Sequence, residues 1–221
     1  MKYIYLNLIA FFGLIATYLA LHYGYFLNID NIVSSFYRSN FLVWFFFIVT
    51  DIGELALIFI GSIFLVTLLA IQGKYKAVFY SLISLLGGLA SQSIIKNVLT
   101  IGRPENSFIT SWGYAFPSGH TNMTTILFLC FCFYVLHDLF DKKRRVLYFT
   151  ISILVIILVG LSRVYLNAHW VSDVLAGWCL GLFWATAPLA VVKIRNIKRL
   201  GSRSGRWAGE IPGRAGRDNI K

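Results

Sequence analysis

Six apolar stretches recur along this chain, at 4–24, 54–72, 77–98, 119–137, 146–162 and 170–192. Each is close to the roughly 18 residues a helix needs to cross the hydrocarbon core of a bilayer. With 58% of its 221 residues hydrophobic and 13% charged, a soluble domain of this size has no interior large enough to hide them. The expected fold is all-α, a polytopic membrane protein with a six-transmembrane-helix bundle spanning 1–195. A cleavable signal peptide is the other reading of the first stretch. Only Lys2 precedes it, and it runs on through Tyr18 to Phe26 without a small-residue cleavage site. Between the first two stretches, Trp44 to Phe47 reads as a helix lying in the interface or packed on the bundle. Asp51 and Glu54 read as solvated end residues at the mouth of the second span.

The net charge of +11 is mainly a topology signal. With six spans and both ends on one side, Lys2, Lys74, Lys76, the run 142–145 and the tail from Lys193 fall together, 16 of the 20 Lys and Arg. That bias places both termini in the cytoplasm, and no nucleic-acid partner is expected. Residues 196–221 form a basic tail rich in Gly, Arg and Ser with no apolar period from Gly201 onward, expected to be a disordered cytoplasmic extension. Cys130, Cys132 and Cys179 sit inside apolar runs without metal-ligand spacing and read as buried small hydrophobes.

Four basic residues remain outside: Arg38, Lys96, Arg103 and Arg163. Three of them fall in polar segments that the topology brings to one membrane face. In the first segment, Lys96 and Arg103 are seven apart, on one face if the helix continues that far, with Gly102 and Pro104 ending it nearby. Taken alone, Lys96 reads as a residue snorkelling to the interface and Arg103 as a solvated loop residue. The second segment, Pro117-Ser118-Gly119-His120, opens the fourth span. Ser118 is a natural N-cap, the following amides are free to attract an anion, and Gly119 permits close backbone approach. His120 titrates in the range a general acid needs. In the third segment, Ser162-Arg163 is followed by His169 and Asp173, four apart, a helical spacing that sets a carboxylate beside an imidazole. Asp173 also reads as a helix-start cap, and the two readings weigh about equally for that segment alone.

Together the segments hold three cations and a helix N-terminus for an oxyanion, one histidine to attack, one to protonate and a carboxylate to orient the attacker. That is the inventory of phosphoryl transfer. Here the chain resembles the type 2 phosphatidic acid phosphatase superfamily, whose three-part signature is Lys-x6-Arg-Pro, Pro-Ser-Gly-His and Ser-Arg-x5-His-x3-Asp. All three parts stand in order between Lys96 and Asp173, the signature region 96–173. The resemblance implies the family's catalytic core and a metal-independent reaction without cofactors. In it His169 attacks phosphorus, Asp173 orients it and His120 protonates the leaving oxygen. Lys96, Arg103, Ser118, Gly119 and Arg163 hold the phosphate oxygens. His22 and His137 stand apart and read as helix ends, not metal ligands.

The superfamily also contains soluble phosphatases and vanadium-dependent haloperoxidases. Six apolar spans favour the membrane lipid phosphate phosphatases, with a lipid phosphate as substrate and membrane lipids as surroundings. A non-catalytic lipid-phosphate binder is a second class of reading, but binding needs the cations alone and not the two histidines with Asp173. Undecaprenyl pyrophosphate is narrowly favoured. Phosphatidylglycerophosphate, phosphatidate or lipid A hydrolysis and transfer to another lipid are the alternatives. The expected location is a bacterial inner membrane, with the site facing the exterior.

Overall fold

The computed structural model describes residues 1–35 and 38–207, and the side chains at 34, 137, 138 and 195–207 are left aside. Among the described residues every regular element is a helix: α1 (Lys2–His22), α2 (Leu27–Ser35), α3 (Asn40–Asp51), α4 (Leu55–Ile71), α5 (Tyr75–Leu99), α6 (Gly119–Tyr134), α7 (Leu136–Leu139), α8 (Lys142–Tyr165) and α9 (Val171–Trp207). The expected tail falls partly on the end of α9. Residues 208–221 lie outside the described residues.

Four helices are long and apolar enough to cross a bilayer by themselves: α1, α5, α8 and α9 as far as Ile194. A fifth arises if α3 and α4, bent by 41° at a short break, count as one span. The expected second stretch is therefore the second arm of a broken helix, and α4 alone has 17 residues. The expected fourth stretch is α6, whose 16 residues give about 24 Å of helix at 1.5 Å per residue. Among the described residues the protein is all-helical, with four or five candidate membrane spans by length and composition, and the six read from the sequence are not confirmed.

Local chemistry ends the helices where the site requires it. Ser118 stands at the N-cap of α6, as expected, but its hydroxyl accepts from Thr121 Oγ1 at 2.9 Å and not from a backbone amide. Asp141 caps α8 by accepting from the Arg144 amide at 3.0 Å. Helix α5 stops at Leu99, with Thr100 in the left-handed region at φ 48°. Lys96 and Arg103 therefore do not share a helical face, because Arg103 stands in the loop beyond the helix end. Asn167 at φ 55° turns the chain between α8 and α9, and its amide donates to the Glu105 carbonyl.

Helix α6 is the axis of the bundle, with Thr121 through Ile126, Leu129, Cys130 and Cys132 buried. It meets α5 and α9 at glycines. A Cβ on Gly88 would come 2.1 Å from Ile126 Cδ1, and one on Gly181 would come 2.5 Å from Thr125 Cβ and 2.8 Å from the Asn122 carbonyl. Small residues at such crossings let backbones approach where lipid offers no hydrophobic drive. Asn7 fastens α1 to α9 by donating to the Phe183 carbonyl at 2.8 Å. Phe12, Ile60 and Phe64 are exposed on the outer faces, which is what lipid-facing positions require. Helix α3 packs on the bundle through Phe46 against Tyr165, with ring centroids 4.6 Å apart. Cys130 and Cys132 are buried and unpaired, as read from the sequence.

Gly181→Val drives side-chain atoms into Thr125 and the α6 backbone, and is expected to cost about 1–3 kcal/mol from overpacking. Thermal unfolding in detergent, compared with a lipid-facing control such as Phe12→Leu, checks this; an unchanged midpoint would show that the α6–α9 crossing is not tight.

Candidate active site

The three segments named from the sequence converge at one end of the bundle. His169 precedes α9 and Asp173 lies in its first turn, both with fully buried side chains. Their contact is His169 Nδ1 to Asp173 Oδ2 at 3.1 Å, and the same oxygen accepts from the Trp170 amide at 2.9 Å. Asp173 is therefore both partner to the imidazole and cap of the turn. The two readings left open by spacing hold together.

The other ring nitrogen, Nε2, faces Arg103 Nη1 at 3.1 Å. A guanidinium only donates, so Nε2 must accept, and the proton belongs on Nδ1, where it is donated to Asp173. The lone pair of Nε2 thus points toward a cation. Burial holds the His169 imidazolium form well below the usual histidine range, and the charges of Arg103, Arg163 and Lys96 push in the same direction.

Each cation is fixed by neutral oxygens. Arg103 donates to the carbonyls of Ala168 at 2.8 Å, Gly113 at 2.9 Å and Trp112 at 3.0 Å. Lys96 donates to those of Tyr114 at 2.5 Å and Ala115 at 3.1 Å. Arg163, 2% exposed, donates from Nη1 to Thr50 Oγ1 at 2.8 Å and from Nη2 to Ser111 Oγ at 3.3 Å, while its Nε has no partner. Three buried or half-buried like charges cost free energy unless an anion comes between them.

That anion has a place. A cavity of about 220 Å³ is lined by Gln92, Lys96, Arg103, Gly119, His120 and His169 together with apolar residues. Of the expected site residues, Ser118, Arg163 and Asp173 stand behind its wall. Ser118 is buried and donates its amide to the Asp173 carbonyl at 2.9 Å, tying the start of α6 to the start of α9. A side chain at Gly119 would displace Gln92, since a Cβ would come 2.8 Å from Gln92 Nε2.

Sequence reasoning missed three participants. Gln92 lines the cavity one turn before Lys96, and a polar amide four residues from a lysine in an apolar helix was the available signal. Thr50 anchors Arg163 from a distant part of the chain, and no local pattern announces that. Glu54 is not a bystander at a helix end, as its spacing implied: its Oε1 lies 3.1 Å from His120 Nε2. Asp51 remains exposed, as expected. Arg38, the fourth outside cation, donates to the carbonyls of Tyr165 and Val33 and lies over the Phe108 ring. His22 ends α1, as expected, and the His137 side chain lies outside the described residues.

The helical fold and this clustered site define an apolar helical protein with a cationic cavity at one end of its bundle. The profile of the PAP2 superfamily matches residues 74–197, more than half of the chain, and the chain belongs to that superfamily. Phosphatidylglycerophosphatase B of Bacillus subtilis (strain 168) is 35% identical over 91 residues, covering 40% of this chain and 45% of that protein. The chain thus matches less than half the length of this curated relative. Among solved structures, the transmembrane PAP2 type phosphatidylglycerolphosphate phosphatase from Bacillus subtilis superposes with a TM-score of 0.79 at 21% identity, over 86% of this chain and 96% of that one. Aquifex aeolicus LpxE superposes with a TM-score of 0.57 at 20% identity, over 74% and 93% of the two chains. These likenesses establish the fold.

Histidine ¹⁵N NMR is expected to find His169 neutral and protonated on Nδ1 through the pH range where an unperturbed histidine, of pKa about 6.5, takes up a proton. A normal titration would mean that burial and the neighbouring cations do not act on this ring.

Proposed function

We propose that this protein is a lipid phosphate phosphatase that works through a phosphohistidine on Nε2 of His169. The observation that carries the reading is the polarised imidazole, with Nδ1–H bound by buried Asp173 and the Nε2 lone pair turned toward Arg103 at the cavity. Nucleophilic attack needs that lone pair on a neutral ring, and Asp173 stabilises the positive charge that develops as the bond to phosphorus forms. Lys96 and Arg103 line the cavity as partners for the phosphate oxygens, and Arg163 supports them with its unpartnered Nε. His120, which lines the same cavity, is the general acid for the leaving oxygen. Water then takes the phosphoryl group from His169.

A lipid substrate is supported by what adjoins the cavity. An apolar groove of about 330 Å³ between α4 and α5 shares Leu55, Ile58, Leu89 and Met123 with it as common walls. A phosphate beside His169 can therefore be carried on an apolar chain lying in that groove. Phosphatidylglycerophosphate is the substrate we favour, on the name of the curated relative. That displaces undecaprenyl pyrophosphate, which no observation here singles out. The chemistry is read as independent of metal, with both termini cytoplasmic and the site at the outer face of a bacterial inner membrane. Sorted over the six apolar stretches of the sequence, the charge asymmetry of the loops supports that orientation.

Purified protein in detergent is expected to release phosphate from phosphatidylglycerophosphate with a chelator present, and His169→Ala to release none above background. Equal release by the two proteins would sink the catalytic assignment, and loss of wild-type activity on chelation would sink metal independence. Asp173→Asn is expected to lower kcat by at least about 100-fold while leaving KM close to the wild-type value, since it removes the charge that orients and stabilises His169. A change confined to KM would assign Asp173 to substrate binding instead.

A further inference from the structure

One short turn outside both the signature and the superfamily match touches two signature residues. Residues 50–54 join α3 to α4 at the 41° bend. The turn is closed by backbone bonds from Gly53 to the Thr50 carbonyl at 2.9 Å and from Glu54 to the Asp51 carbonyl at 3.0 Å. Thr50 accepts from Arg163 at 2.8 Å, and Glu54 Oε1 meets His120 Nε2 at 3.1 Å. Gly53 makes this approach possible, because a Cβ there would stand 2.8 Å from Val159 Cγ1 and 3.2 Å from His120 Cβ. The bend therefore delivers a carboxylate to His120, the cavity histidine that the His169–Asp173 pair does not use.

The surroundings of His120 explain what that carboxylate does. The ring shares its cavity with Lys96 from α5, Arg103 from the loop beyond it and His169 from the start of α9, and Arg163 of α8 lies close enough to act on it through its charge. Asp173 is behind His169 and already engaged. Burial first, and the charges of Arg163 and Arg103 with it, push the His120 pKa down to about 4 against the pull of Glu54, yet a general acid must carry a proton when the leaving oxygen departs. Glu54 is the carboxylate that touches the ring directly. Half of its side chain is exposed, so it keeps its charge at low desolvation cost.

Resting on the phosphatase reading above, we infer that Glu54 is a positioning residue that orients His120 and favours its imidazolium form for protonation of the leaving group. As Nε2 of His169 bonds to phosphorus and the ester P–O bond breaks, His120 gives its proton to the departing oxygen. In the second half, neutral His120 takes a proton from the water that attacks phosphorus, the Nε2–P bond breaks, and phosphate leaves with the imidazolium restored. Glu54 exchanges no proton in either half. It compensates the charge of the acid and sets its orientation.

The test compares Glu54→Gln with wild type on two substrates in detergent: phosphatidate, whose alcohol must be protonated as it leaves, and p-nitrophenyl phosphate, whose phenolate leaves unaided. On phosphatidate the variant is expected to lose at least about tenfold in kcat, a part of what general acid catalysis supplies. The alkaline limb of its pH–rate profile should move to lower pH by about one unit, the direction for an imidazolium that has lost its carboxylate. On p-nitrophenyl phosphate the pre-steady-state release of p-nitrophenolate, which reports the transfer to His169 alone, should stay near wild type, which also shows that the variant is folded. Equal losses on both substrates, a raised KM with kcat unchanged, or an unmoved alkaline limb would overturn the inference; the second result would assign Glu54 to phosphate binding through Arg163. If wild type is active and His169→Ala inactive while Glu54→Gln matches wild type on both substrates, this inference alone fails. If wild type and His169→Ala release phosphate equally, the phosphatase reading fails with it.

Discussion

Asp173 places a carboxylate in the first turn of an otherwise apolar helix, with no exposed surface at all. Burying such a group in a membrane bundle is costly unless hydrogen bonds within the fold offset it. Its Oδ2 takes hydrogen bonds from His169 and from the Trp170 amide, its Oδ1 has no partner among the described residues, and its carbonyl takes one from the Ser118 amide. Those three bonds bring together the turn before α9, the His169 ring and the N-terminus of α6. The geometry of the site is built around this one buried residue.

A second constraint comes from the cations. Lys96, Arg103 and Arg163 reach one region from α5, the loop after it and α8. Backbone carbonyls and hydroxyls hold them in place but carry no negative charge, so the cavity beside them keeps a positive field suited to an anion. In the phosphatase we propose, preorganised charge of this kind lowers the barrier to phosphoryl transfer without reorganisation during the reaction. Glycines at 88, 119 and 181 are what let α5, α6 and α9 come close enough to build it.

The apolar stretches were legible in the sequence because long hydrophobic runs leave few alternatives to burial in lipid. Their number was less legible. The stretch at 54–72 proved to be one arm of a bent pair, and α6 is a short inner helix surrounded by others, so hydropathy described it without revealing its place at the axis. The spacing of Lys96 and Arg103 implied one helical face, but Thr100 ends the helix in a left-handed turn, and the arginine reaches the site from a loop. His169 and Asp173 were paired correctly from their spacing, since a local turn brings residues four apart together.

What the sequence determined by itself was the membrane class and the eight residues whose types and spacing match phosphoryl transfer. These are local properties: they depend on how apolar a run is or on how many residues separate two side chains. Tertiary structure alone decided which ring nitrogen of His169 faces the cavity, which signature residues line it and which stand behind it, and that Glu54 meets His120. The contacts of His169 with Arg103 and of His120 with Glu54 each join residues 66 positions apart, and only packing of the helices brings them into one place.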